Sequence, residues 1–280
     1  MKAAELRALL DEAGVRPWRG RSQNFLLDDG IVEAMTAAAG PLAGAAVVEV
    51  GPGVGILTGR LLDLGARVVA VELDRRLCAF LRRRFGGRGL ELLEGDVLAL
   101  SNDELRRAFS PPPAEYRVVA NLPYSITSRI LQKFLLEEPL PRSMTVMIQR
   151  EVADRILAGP GDMSSLAVLV QTLARPRRVV DAPAGAFFPP PKVRSAVIHM
   201  EILTETGRRS FFGEVSQERY FSLVRAAFAE PRKQLANSLK RLIQDGNGLN
   251  EALISAKISP SSRPEELTPA DWLALAELLR

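Results

Sequence analysis

The first 150 residues alternate short apolar runs with longer segments whose apolar residues repeat every three or four positions. The short runs predict buried strands, and the periodic segments predict helices. The predicted strands are residues 46–50, 67–71, 90–93, 118–120 and 144–148. Strands that alternate with helices are typical of parallel sheets with helices on both faces, so the pattern predicts an α/β fold with a doubly wound sheet.

The pattern changes after about residue 205. Residues 195–202 alternate and predict a final strand, whereas the later segments have helical spacing. The predicted later helices are residues 220–228, 235–243, 248–256 and 269–279. We therefore expect two domains, residues 1–205 with a basic N-terminal arm and a small all-α domain of residues 206–280.

Composition narrows the class of protein. The chain has 280 residues, of which 47% are hydrophobic and 25% charged, as expected of a globular protein. Its apolar runs are shorter than the ~18 residues of a spanning helix, and no secretory signal is recognisable. We expect a soluble, cytoplasmic protein with no membrane role. Cys78 is the only cysteine and His199 the only histidine, so we expect no disulfide and no metal site.

The net charge of +4 is modest, but the basic residues are clustered. The clusters are Arg16 to Arg21 around Trp18, Arg82 to Arg88, and Arg175 to Arg178. Arginine suits phosphate groups, so the clusters favour a nucleic-acid partner, with an ordinary solvated surface as the alternative.

The first two strands carry a nucleoside-binding pattern. A glycine-rich turn that includes Gly51 and Gly53 follows the first strand, and Glu72 ends the second, where it can bind ribose hydroxyls. Asp96 follows the third strand and can accept a hydrogen bond from an adenine amino group. The glycine spacing is G-x-G-x-G, which differs from the G-x-G-x-x-G of dinucleotide sites.

The fourth strand ends at the tetrad Asn121-Leu122-Pro123-Tyr124. Ligands of open parallel sheets bind beyond the carboxyl ends of the strands, where Asn121 suits an amino group and Tyr124 offers a stacking face. Pro123 has no N–H, which favours a Leu122 carbonyl available to a ligand. Taken alone, the tetrad also fits a strand end followed by an ordinary turn.

Two further segments have open interpretations. Gln23 and Asn24 could cap the next helix or line a pocket beside Leu26. Residues 185–193 contain Phe187, Phe188 and three prolines, which predict a rigid loop rather than a central strand.

In this order, the motifs resemble those of the ribosomal RNA adenine dimethyltransferases. The matching segments are Gln23–Leu26, Glu49–Thr58, Glu72–Asp74, Gly95–Asp96, Asn121–Tyr124 and Phe187–Val193, which span nearly the whole chain. Leucine in the tetrad and the triple proline resemble the small-subunit branch more than the macrolide-resistance branch. Arg194 departs from the acid that the small-subunit branch often has there.

The resemblance implies a Rossmann-like sheet that binds S-adenosylmethionine, and a monomer that acts on small-subunit rRNA in a partly assembled 30S particle. Two adjacent adenines near the 3′ end of that rRNA would be dimethylated on their 6-amino groups, with the C-terminal helices contributing to RNA binding. Together with the residue patterns, it implies a donor-binding set of Gln23, Asn24, Leu26, Gly51, Gly53, Glu72, Asp96, Val97 and Asn121.

For catalysis we expect the target adenine to be flipped out and stacked between Tyr124 and Phe188. Its amino hydrogens would be accepted by the Asn121 side chain and the Leu122 carbonyl, so that positioning replaces a histidine or cysteine base. The rival interpretations are a nicotinamide-dependent oxidoreductase, a large-subunit rRNA methyltransferase of the resistance type, and a non-catalytic RNA-binding relative.

Overall fold

The computed structural model describes residues 2–16, 24–243 and 246–279. Its strands are β1 (Phe25–Leu26), β2 (Ala46–Val50), β3 (Arg67–Glu72), β4 (Leu90–Glu94), β5 (Arg117–Asn121), β6 (Ser143–Gln149), β7 (Ala174–Ala182), β8 (Phe187–Phe188) and β9 (Ser195–Ile202). Its helices are α1 (Ala3–Glu12), α2 (Asp29–Ala38), α3 (Ile56–Asp63), α4 (Arg75–Phe85), α5 (Asn102–Arg107), α6 (Thr127–Leu136), α7 (Arg150–Ile156), α8 (Ser165–Leu173), α9 (Glu205–Phe212), α10 (Gln217–Phe228), α11 (Leu235–Ser238), α12 (Gly246–Ser255) and α13 (Pro269–Leu278).

A seven-stranded sheet in the order β4-β3-β2-β5-β6-β9-β7 forms the centre of the fold. The strands β2 to β6 pair in parallel, and β9 pairs antiparallel with β6. The predicted α/β sheet is therefore confirmed. The parallel strands place their carboxyl ends at one edge, which is where ligands bind in such sheets.

The sequence did not predict β7 or the small β1–β8 sheet. β7 lies at the end of the sheet order and carries the basic run from Arg175 to Arg178, and charged residues are common on edge strands. In the small sheet, Phe25 lies opposite Phe188. The three prolines follow β8 and stay outside the strand, as expected.

The described residues divide into two compact units. One lies within residues 1–153 and 176–202, and the other within 154–175 and 203–280. This division differs from the expected boundary at residue 205, because α8 packs in the C-terminal unit. There the Thr172 hydroxyl lies 2.9 Å from the Tyr220 hydroxyl, which donates to the Pro269 carbonyl of α13 at 3.0 Å.

The residue before helix α3, Gly55, occupies a position that glycine fits better than any other residue. Gly55 precedes the helix with φ of +81°, a left-handed conformation that other residues adopt at a cost. A Cβ atom there would lie 2.3 Å from Cε2 of Phe85 and 2.8 Å from Cδ2 of Leu81, both in α4. Gly55 therefore allows the turn and α4 to pack closely.

We expect Gly55→Ala to destabilise the protein by about 2–4 kcal/mol, because overpacking against Phe85 adds to backbone strain. Gly44 is the matched control, since it also has positive φ, of +72°, but a Cβ atom there would meet no described atom within 4 Å. Gly44→Ala should cost about 1–2 kcal/mol from strain alone. Urea unfolding of both variants measures the difference, and equal losses would refute the packing role.

Candidate functional site

A cavity of about 620 Å³ opens at the carboxyl ends of the parallel strands. This volume is in the usual range for small-molecule sites, ~300–1,000 Å³. The predicted site residues that line it are Asn24, Leu26, Gly51, Gly53, Glu72, Asp96, Val97, Asn121, Leu122 and Tyr124. Phe188 is not among the lining residues, and Gln23 lies outside the described part of the chain. The structure thus gathers residues that are far apart in sequence around one space.

The Glu72 carboxylate joins the glycine turn to the end of β3. Its two oxygens accept from the backbone N–H groups of Gly53, at 3.2 Å, and Asp74, at 3.0 Å. Only 8% of Glu72 is exposed, and this burial raises the pKa of its carboxyl above the ordinary value. Gly53 has φ of +60°, and a Cβ atom there would lie 3.0 Å from the Phe25 ring. The glycine turn and Glu72 therefore form one wall of the cavity, held together by these hydrogen bonds.

Glu49 is a second buried acid beside this wall, and sequence reasoning assigned it no role of its own. It belongs to β2, is 2% exposed, and accepts a hydrogen bond from the Thr58 hydroxyl at 2.7 Å. Burial, with a smaller contribution from the Glu72 charge, raises its pKa to about 8. Glu49 is therefore mostly protonated at neutral pH. The sequence signal that could have identified Glu49 is its place as an acid inside the apolar run Ala46–Val50.

Asp96 and Val97 follow β4, the strand that pairs with β3, and both line the cavity. Asp96 is exposed, and its Oδ1 accepts from the Leu98 N–H at 2.9 Å. Val97 is buried. A carboxylate with two oxygens can accept a further hydrogen bond from a ligand.

The orientation of the Asn121 amide is set by the chain segment before β1. Asn121 Nδ2 donates to the main-chain carbonyl of Asn24 at 3.2 Å. A carbonyl can only accept, so the amide must present its nitrogen to Asn24 and keep its oxygen on the other side. Asn121 thus offers an acceptor rather than a donor to a ligand that approaches from that side.

The rest of the tetrad is a short turn held by its own hydrogen bonds. The Leu122 N–H donates to the Met147 carbonyl at 3.0 Å, and the Pro123 carbonyl accepts from the Thr127 hydroxyl at 3.1 Å. Neither bond uses the Leu122 carbonyl. The Tyr124 hydroxyl lies 2.6 Å from the hydroxyl of Ser195, a residue that the sequence analysis did not select. Burial raises the pKa of the Tyr124 phenol, which therefore stays neutral near neutral pH.

Phe188 lies one strand away from the cavity wall. It pairs with Phe25, which does line the cavity, and the Arg7 guanidinium lies 4.9 Å from the centre of its ring. This cation–π contact connects α1 to β8. The structure places Phe188 beside the site but not in its wall.

Two broader features bear on function. Among the residues that the structure describes, no helix combines the length and apolar character needed to cross a bilayer. Within those same ranges, no three His, Cys, Asp or Glu side chains are grouped as potential metal ligands.

Comparison with known proteins gives consistent matches. The family model described as Ribosomal RNA adenine dimethylase matches residues 19–280. Ribosomal RNA small subunit methyltransferase A of Dehalococcoides mccartyi (strain CBDB1) is 37% identical over 278 residues, covering 97% of this chain and 91% of that protein. The protein of the same name from Thermosynechococcus vestitus (strain NIES-2133 / IAM M-273 / BP-1) is 38% identical over 273 residues, covering 95% and 98%.

Solved structures show the same likeness. A dimethyladenosine transferase from Plasmodium falciparum has a TM-score of 0.71 at 26% identity, covering 90% of this chain and 95% of that one. The 23S rRNA methyltransferase ErmE has a TM-score of 0.69 at 28% identity, covering 91% and 99%. Both alignments extend over most of the chain, so the likeness is not confined to one of its two units.

Glu49 should make stability depend on pH. Its pKa is raised in the folded protein, so the folded state binds more protons than the unfolded state between about pH 4.5 and 8. The contribution of Glu49 to stability should therefore fall as pH rises through that window. Glu49→Gln mimics the protonated form and should remove this part of the dependence. Urea unfolding of both proteins from pH 5 to 8 measures it, and parallel profiles would refute it.

Proposed function

This chain belongs to the ribosomal RNA adenine dimethylase family, and we propose that it dimethylates the 6-amino groups of two adjacent adenines near the 3′ end of small-subunit rRNA, with S-adenosylmethionine as methyl donor. The observation that carries the proposal is the cavity, which brings the glycine turn, Glu72 and Asn121 together. The enzyme is thus a methyltransferase of the small ribosomal subunit.

The choice of the small subunit is supported by the relatives. Proteins named for small-subunit methylation are 35–38% identical to this chain over nearly its full length. ErmE, named for 23S rRNA, is 28% identical. The leucine at position 122 agrees with this preference, so the large-subunit alternative is not favoured.

The donor fits the residues of the cavity. S-adenosylmethionine supplies an electrophilic methyl group on a positively charged sulfur. We assign the ribose hydroxyls to Glu72, whose carboxylate is already held in place by two N–H groups. The donor adenine is assigned to Asp96 and the Val97 N–H, which follow the adjacent strand β4. Gly51, Gly53, Asn24 and Leu26 complete the pocket, together with the predicted Gln23, and no metal ion is required.

The acceptor amine is positioned by the end of β5. Its lone pair is delocalised into the purine ring and must be directed at the methyl group. Asn121 Oδ1, oriented by the bond to Asn24, and the Leu122 carbonyl accept the two amino hydrogens in our proposal. These acceptors act most strongly on the transition state, when the nitrogen gains positive charge. Tyr124 and Phe188 provide the stacking faces for the flipped base.

Neither rival class accounts for the site as well. A nicotinamide-dependent oxidoreductase leaves the Asn121 tetrad without a role, and the G-x-G-x-G spacing differs from that of dinucleotide sites. A non-catalytic RNA-binding relative leaves the braced Glu72 wall without a role. We propose a monomer that acts in the cytoplasm on a partly assembled 30S particle. The basic run of α4, residues 82–84, is one proposed RNA contact, with the C-terminal helices as another.

Replacement of Glu72 should weaken donor binding selectively. We expect Glu72→Ala to lose roughly 1–3 kcal/mol of affinity for S-adenosylmethionine, the usual scale for hydrogen bonds to a charged group. Glu91→Ala is the matched control, because Glu91 is an exposed acid on the adjacent strand and does not line the cavity. Calorimetry measures the affinity of each variant and of the unmodified protein for the methyl donor and for NAD. Tight NAD binding without donor binding would refute the proposed cofactor.

Methyl transfer itself tests the function. The purified protein should form N6,N6-dimethyladenosine in small-subunit particles from cells that lack this enzyme, and none in large subunits, as measured by mass spectrometry of rRNA digests. Asn121→Ala should lower the rate by orders of magnitude while RNA binding persists, because the lost acceptor acts in the transition state. Asn121→Asp should also be impaired, since a carboxylate cannot donate to the Asn24 carbonyl. Near-normal transfer by Asn121→Ala would remove Asn121 from the mechanism.

A further inference from the structure

Ser195 is the first residue of β9 and makes a short hydrogen bond to the proposed stacking residue Tyr124. The two hydroxyl oxygens are 2.6 Å apart, and Ser195 is 0% exposed. The main chain around Ser195 is fixed on both sides, because Ser195 pairs with Gln149 of β6 and the Arg194 carbonyl accepts from the Arg150 N–H at 2.9 Å. The main chain therefore holds Ser195 in a fixed place at the start of β9.

Tyr124 itself is attached to a much smaller element. It begins a single 3-10 turn, Tyr124–Ile126, and it lines the cavity while remaining half-buried. A turn of three residues fixes the Cβ position of the tyrosine but leaves the direction of the ring to its side-chain torsions. The bond to Ser195 adds a second attachment at the far end of the ring. With both ends held, the long axis of the ring keeps one direction.

We propose that Ser195 is a positioning residue for the methyl-transfer reaction, whose hydroxyl holds the Tyr124 ring in the position at which the target adenine stacks. The inference rests on the proposed function and adds a residue to it. Phe188, the other proposed stacking residue, lies seven positions before Ser195 on the same segment. The segment from Phe188 to Ser195 thus supplies one stacking face, Phe188, and the residue that holds the other stacking face, Tyr124.

A second buried hydrogen bond to β9 serves as a control that distinguishes positioning of Tyr124 from a general loss of stability. The Thr145 hydroxyl of β6 lies 2.8 Å from Nδ1 of His199 in β9, and both side chains are buried. Neither residue lines the cavity. Loss of this bond should weaken the β6–β9 pairing without moving Tyr124.

The test compares Ser195→Ala, Tyr124→Phe, the double variant and Thr145→Val. We measure kcat and KM for methyl transfer to small-subunit particles, the Kd for S-adenosylmethionine, and the fluorescence of 2-aminopurine placed at the target adenine. Ser195→Ala and Tyr124→Phe should each lower kcat on the order of tenfold, the scale of a small misplacement in the site. The double variant should lose no more than the worse single variant, because both changes break the same bond.

The donor Kd and the 2-aminopurine fluorescence identify the cause of the lower kcat. Donor Kd should stay within about twofold of the unmodified protein, while Ser195→Ala should reduce the stacking-dependent quenching of 2-aminopurine. Thr145→Val should keep normal kcat and quenching. Normal transfer by Ser195→Ala, a roughly hundredfold loss in the double variant, or an equal loss in Thr145→Val would each overturn the role of Ser195. Failure of the unmodified protein to transfer methyl groups would instead overturn the proposed function, and this inference with it.

Discussion

The register of the parallel strands is the constraint on which the site depends. Val50 of β2 pairs with Val71 of β3, and Val48 pairs with Val118 of β5, so the three strands end at the same edge of the sheet. The glycine turn, Glu72 and Asn121 each follow or close one of these strands. A shift of one residue in any pairing would turn the side chains to the opposite face and separate the groups. The chemistry of the site is thus secured by apolar pairs that take no part in it.

Much of this arrangement could be predicted, because strand ends can be recognised locally. The apolar runs gave the parallel strands, and the polar residues directly after them, such as Asp96 and Asn121, do line one cavity. The partners of those residues could not be predicted. Ser195 is 71 positions from Tyr124, and Asn24 is 97 from Asn121, and no local pattern indicates contacts over such separations. The packing of α8 with the C-terminal helices was missed for the same reason.

The acids of the site illustrate a second limit. Glu49 and Glu72 look alike in sequence, since each lies at or near the end of an apolar strand. Burial raises the pKa of both, but Glu72 accepts from the backbone N–H groups of Gly53 and Asp74, whereas Glu49 accepts from the Thr58 hydroxyl. Their hydrogen-bond partners therefore differ, although their places in the strands are similar. These partners follow from packing that the sequence does not display.

The glycine turn has a consequence for how this sequence can vary. Gly55 shares a motif with Gly51 and Gly53, but the atoms that exclude a side chain at position 55 belong to Phe85 and Leu81 of α4. Selection at position 55 therefore acts through the fit between two helices, and not through a ligand. A larger residue at 55 would require a smaller one at 81 or 85, as well as relief of the positive φ. Positions 55, 81 and 85 should consequently change together during evolution, as a unit separate from the cavity residues beside them.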